Sequence, residues 1–136
     1  FSYMDNNDGC SSFLYRIDGN DTMEMSGLLE IDTLENIINE NNIDKIDFLC
    51  MDTQGSELDI LKGMKDHIKN TKYIILEVPK KNPNHHYIPL GLHSKYLNAP
   101  SYHEIVNYLN KYDFEIKEII QENFCEDNIL FVNKNI

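Results

Sequence analysis

Hydrophobic positions recur along the chain in two rhythms. Leu34, Ile37 and Ile38 lie on one helical face, and Asp32 followed three residues later by Glu35 makes a capping-box pattern, so a short helix is expected at 33–41. Ile46-Asp47-Phe48-Leu49-Cys50-Met51 is instead a nearly continuous apolar run of strand length, the pattern of a central parallel strand with helices over both sheet faces. The run ends in Asp52-Thr53-Gln54-Gly55-Ser56-Glu57 and passes into Leu58, Ile60, Leu61, Met64 and Ile68 at helical spacing. Ser56 is the expected N-cap of that helix, with Glu57 at its positive end. A second apolar run, Tyr73-Ile74-Ile75-Leu76-Glu77-Val78, is stopped by Pro79. Strand, helix and strand in that order make a βαβ crossover, right-handed almost without exception.

Residues 79–100 then hold all four prolines, together with His85, His86, His93, Tyr87 and Tyr96. A long irregular segment of this kind in a compact domain is usually functional or disordered. Ser101 and Glu104 form another capping-box pattern, ahead of Tyr102, Ile105, Val106, Leu109 and Tyr112 on one helical face. Two last strands, Phe114 to Ile120 and Ile129 to Val132, are separated only by the polar turn 121–128, so they are expected to close the sheet as an antiparallel pair. No internal boundary interrupts the pattern, and the 136 residues suffice for one core.

Charge narrows the partners. With 23 acidic against 12 basic side chains the formal charge is −11, a field that repels phosphate backbones and anionic membranes, so neither nucleic acid nor a membrane is an expected partner. No apolar run approaches the roughly 20 residues a membrane helix needs. Cys10, Cys50 and Cys125 stand far apart, in neither disulfide nor zinc spacing, which points to a reducing, cytoplasmic compartment. The chain opens on Phe1, with Ser2 to Ser12 reading as a loop entered midway, so an N-terminally incomplete domain is expected.

Ligands of open α/β sheets bind outside the carboxyl ends of the parallel strands. Asp52 ends the first strand and Glu77 lies near the end of the second, so neighbouring strands would bring both acids to one crevice. There they could serve as a general base, an anchor for a substrate hydroxyl, or ligands of a divalent ion; a merely solvated or capping acid is the plain alternative. Glu77 argues against the plain one, because an acid inside a buried run is costly unless it has a partner or reaches a cleft. Gln54-Gly55 provides a tight turn and close backbone approach to a ligand. The three loop histidines lack the spacing of a metal site, and glycine-rich phosphate fingerprints and GxSxG elbows are absent, so no metal, kinase or hydrolase is expected.

The stretch from Ile46 through Glu57 to Leu58-Asp59-Ile60-Leu61-Lys62-Gly63 resembles the signature of FkbM-type methyltransferases, a strand reading roughly hDhhKhDhQGxE followed by hLKG, with h an apolar residue. Asp32-Thr33-Leu34, the strand through Glu77 and the strand Ile129 to Asn133 resemble flanking family elements, so the likeness spans about residues 10 to 134. It departs at Cys50, where the family usually has Lys, and at Tyr112-Asp113-Phe114, where Gly-Phe is common; Asp tolerates the left-handed turn that Gly would make.

The resemblance implies the C-terminal half of a Rossmann-like class I methyltransferase fold, with parallel strands, crossover helices and a final antiparallel strand. It implies S-adenosylmethionine as methyl donor and a hydroxyl of a sugar or other small molecule as acceptor. Matched position by position, Asp52, Glu57 and Glu77 become the catalytic candidates and Asp52 and Gln54 the donor-binding ones, while the main donor loop is expected upstream of residue 1. A non-catalytic remnant or a glycan-binding module of the same fold is the alternative. The missing half would leave one edge of the first strand without its natural neighbour.

Overall fold

A computed structural model of the chain describes residues 2–3, 12–14, 24–25, 30–81, 94, 96–121 and 125–136. Two short strands, β1 (Ser2–Tyr3) and β2 (Glu24–Met25), pair antiparallel, where a loop is expected for the first of them. The main body is a four-stranded mixed sheet of β3 (Ile46–Met51), β4 (Thr71–Pro79), β5 (Phe114–Gln121) and β6 (Glu126–Asn133), in the spatial order β3-β4-β6-β5. Helices α1 (Leu34–Glu40), α2 (Glu57–Gly63) and α3 (Tyr102–Asn110) complete a mixed α/β fold.

β3 and β4 are parallel, pairing Ile46 with Thr71 through Met51 with Leu76, so the strand–helix–strand unit forms as the sequence predicts. β5 and β6 are antiparallel, also as expected, but β6 inserts between β4 and β5 and pairs antiparallel with both. β3, read as a central parallel strand, has the open edge expected for it, pairing among the described residues with β4 alone. It is the end strand of this sheet, where Phe48 and Cys50 are exposed and Met51 is buried.

The core is one cluster of α1, α2, α3 and one sheet face. Ile74, Leu76 and Val78 of β4 and Ile129 and Phe131 of β6 point into it, against Leu61, Ile105 and Leu109. Because successive strand residues face opposite sides, Glu77 is turned away from Leu76 and Val78 and is half-buried on the other face. The buried run of β4 therefore carries its acid without burying it in the core.

Local signals placed the helices well. Ser101 and Glu104 make the full capping box, with the Glu104 N–H donating to Ser101 Oγ and the Ser101 N–H to Glu104 Oε2 at 2.8 Å. The α1 cap falls one residue later than expected: Thr33 Oγ1 accepts from the Asn36 N–H, while Asp32 accepts from the Thr33 N–H and the Asn36 amide. The helix expected through Ile68 breaks after Gly63, where Lys65 takes a left-handed conformation, and a 3₁₀ segment (Lys65–Asn70) carries Ile68 into the core. Asp113 adopts φ 62°, the left-handed turn anticipated for it.

Candidate functional site

Parallel pairing of β3 with β4 sets the ends of both strands side by side, and the turn 52–56 crosses above them into α2. Ser56 occupies the N-cap position but makes no side-chain capping bond. Glu57 does that work instead. Its Oε1 accepts from the Thr53 N–H (3.1 Å), the Thr53 hydroxyl (3.0 Å) and the Gly55 N–H (3.2 Å), and the residue is 2% exposed. A carboxylate suits this place because it satisfies several donors at once beside the positive end of α2.

Gln54 is the centre of the arrangement. It is buried, in a left-handed conformation at φ 53°, and its Nε2 donates to Asp52 Oδ1 (2.5 Å) and, by a long contact, to Glu77 Oε2 (3.5 Å). Its Oε1 accepts from the Tyr96 hydroxyl, and its main-chain carbonyl accepts from Ser12 Oγ at 2.7 Å. The structure thus joins Asp52, Gln54 and Glu77 through one amide, with Glu57 beneath the same turn. As placed, the Gln54 amide is engaged with protein partners, while Asp52 is exposed beside it.

Gly55, at φ 102°, lets two other segments close in. A Cβ there would stand 2.9 Å from Leu14 Cδ1 and 3.1 Å from Ala99 Cβ. The close approach expected at this glycine is therefore to the protein's own side chains.

Behind Glu77 a small space is lined by Gly55, Glu57, Glu77, Pro79, Ser94, Ala99, Pro100 and Glu126, with room for about one water molecule. Pro79 pairs with Glu126 in the β4–β6 register, and beside them Lys80 Nζ meets Asp127 Oδ1 at 2.6 Å while the Lys80 N–H donates to Cys125 O at 2.8 Å. Two of these participants escape sequence reading. Tyr96 sits 42 residues from Gln54 with no periodicity to connect them, and Glu126 falls in the expected turn 121–128, whereas β6 begins at that residue.

Cys50 is an exposed free thiol near the end of β3, two residues before Asp52. Cys125 is half-buried; Cys10 and the histidines 85, 86 and 93 lie outside the described residues. Among the described residues no group of three His, Cys, Asp or Glu side chains is placed to hold a metal ion, and no helix is long and apolar enough to cross a membrane.

Comparison with known families finds the methyltransferase FkbM domain, matched over residues 4–116. That match contains Asp52, Gln54, Glu57, Glu77 and Tyr96 and ends in β5, so Glu126 and the last strand lie beyond it. No curated protein and no solved structure gives a significant match.

Proposed function

The chain belongs to the FkbM methyltransferase domain family, and from that premise we propose that the polypeptide carrying it methylates a hydroxyl of a sugar or other small molecule on a Rossmann-like sheet of the class I type. The observation that carries this reading is the pair Asp52 and Glu77 at adjacent parallel strand ends, bridged by Gln54. The chemistry of that donor set suits S-adenosylmethionine at one point: the exposed Asp52 carboxylate accepts from hydroxyl or ammonium groups. The space behind Glu77 is water-sized, so the donor would be met on the open side, at Asp52. When bound, the donor supplies an electrophilic methyl group.

An alcohol is a poor nucleophile until its proton is taken, and a carboxylate within hydrogen-bond reach both orients the hydroxyl and receives that proton. Asp52 or Glu77 performs this step. Glu57 contributes by holding the turn that presents them, through its bonds to Thr53 and Gly55.

A test uses the natural polypeptide carrying these residues, with a labelled methyl donor. Asp52→Asn should lower kcat by about 100-fold or more, the range of general-base contributions. Unchanged kinetics would remove Asp52 from the mechanism, and failure to bind S-adenosylmethionine in calorimetry would remove the methyltransferase reading itself. The alternative reading is a non-catalytic remnant or a glycan-binding module of the same fold, which transfers nothing. Acceptor binding with no methylated product would decide for it.

A further inference from the structure

The polarity of the Gln54 network is fixed by elementary donor and acceptor chemistry. Ionised carboxylates only accept hydrogen bonds, so the amide end facing Asp52 and Glu77 must be the NH2 group. The carbonyl end must then face Tyr96, whose hydroxyl donates to it. Tyr96 is itself held firmly. It is 2% exposed, its N–H donates to Ser94 Oγ at 3.1 Å, its carbonyl accepts from the Ala99 N–H at 3.3 Å, and its Cβ lies 3.4 Å from where a Cβ on Gly55 would be.

We propose that Tyr96 is a positioning residue for the Asp52–Glu77 pair, acting through Gln54. Two pulls act on the amide. Asp52 is the nearer acceptor and lies toward solvent, so alone it would draw the Gln54 side chain outward. The Tyr96 hydroxyl holds the opposite end inward, which keeps the NH2 group between both acids instead of following Asp52 alone. Without that hydroxyl a buried carbonyl loses its donor, and turning outward to water becomes the cheaper state. The segment around Tyr96 is thereby coupled to the strand ends, 42 residues away in sequence. The geometric claim stands by itself; its consequence for turnover rests on the proposed roles of Asp52 and Glu77.

The test compares the natural polypeptide with its Tyr96→Phe variant, which keeps the ring. By NMR, the wild-type Tyr96 hydroxyl proton should be visible in slow exchange with a cross-peak to the Gln54 side chain. In Tyr96→Phe the Gln54 side-chain NH2 protons should exchange roughly 5- to 10-fold faster, the loss of about one hydrogen bond, while backbone amides of β3 and β4 keep their protection. Unchanged Gln54 exchange, or no wild-type cross-peak, overturns the proposal; the wild-type arm decides even where the variant does not fold. In turnover, kcat should fall with KM for the donor little changed, and an unaltered kcat overturns the positioning role. Absence of methyl transfer from the wild type defeats the methyltransferase reading and leaves the NMR result to judge Tyr96.

Discussion

Two residues of the turn between β3 and α2 show how much a short motif demands. Gly55 and Glu57 answer different needs: one leaves room, the other supplies acceptors. At φ 102° an L side chain is strained whatever surrounds it, and a methyl group at Gly55 would also press on Leu14 Cδ1 at 2.9 Å and Ala99 Cβ at 3.1 Å. Strain and overpacking each cost about 1–3 kcal/mol, so Gly55→Ala should lower stability by about 2–4 kcal/mol in urea unfolding. Adding Leu14→Ala, which removes the nearest atom, should restore part of that loss. A single substitution costing under ~0.5 kcal/mol would show that neither segment packs on the glycine. The acid, amide and acid at 52, 54 and 57 were grouped by the resemblance of this stretch to the FkbM signature, and the turn brings Gln54 onto Asp52 and Glu57 under its own main chain. Their division of labour was not legible. That Glu57 turns down to the Thr53 and Gly55 donors while Asp52 stays exposed depends on which way the chain bends at Gln54, a left-handed residue no local preference announces.

At the scale of elements, capping signals were the most legible because they act within four residues: the Ser101–Glu104 box lies where its pattern stands. At α1 the pattern slipped by one position, since Asp32 and Thr33 are both able caps and both are used. Apolar spacing cannot see a helix break when the next segment keeps its side chain on the same face, which is how Ile68 remained in register across Lys65. Packing between elements leaves a titratable trace. The Tyr108 hydroxyl of α3 donates to Leu61 O of α2 at 3.3 Å, and its ring lies 5.3 Å from that of Tyr112. Burial, and then the hydrogen bond with Tyr112, pushes the Tyr108 phenol well above its usual 10.0. A group with a raised folded pKa keeps its proton longer in the native state, so its contribution is complete below about pH 10 and is lost as pH climbs from there toward the folded value. Tyr108→Phe should therefore cost about 0.5–1.5 kcal/mol at pH 7, through the lost hydrogen bond. The gap between variant and wild type should narrow in urea titrations above pH 10. A gap that stays constant through the alkaline range would mean the phenol is as solvated in the native state as in the unfolded one.

For the whole molecule, the βαβ unit and the antiparallel closure follow from apolar runs and connector lengths, but the sheet order does not. The β5–β6 connector says that the two strands pair, and is silent on which of them lies next to β4; that choice rests on long-range fit, with Glu126 against Pro79 and Asn133 donating to Lys69 O and Thr71 O from the far end of β6. Charge is the other property that belongs to no single element. Three of the ion pairs, Lys45–Asp47, Lys62–Asp59 and Lys69–Asp66, join exposed neighbours in sequence, and pairs of that kind contribute little. Against them stands a net charge of −11, whose mutual repulsion opposes compaction. Salt weakens both effects, and the larger one decides the sign. Between ~10 and ~150 mM NaCl the screening length shrinks from about 30 Å to about 8 Å, so charges on opposite sides of the molecule stop sensing one another while adjacent pairs retain part of their attraction. Thermal unfolding should therefore shift upward by a few degrees, on the order of 1 kcal/mol for a domain of this size. A downward shift would mean that the local pairs outweigh the global repulsion, and neutralising Lys69, whose bond to Asp66 spans 2.5 Å, should then reproduce the loss at low salt.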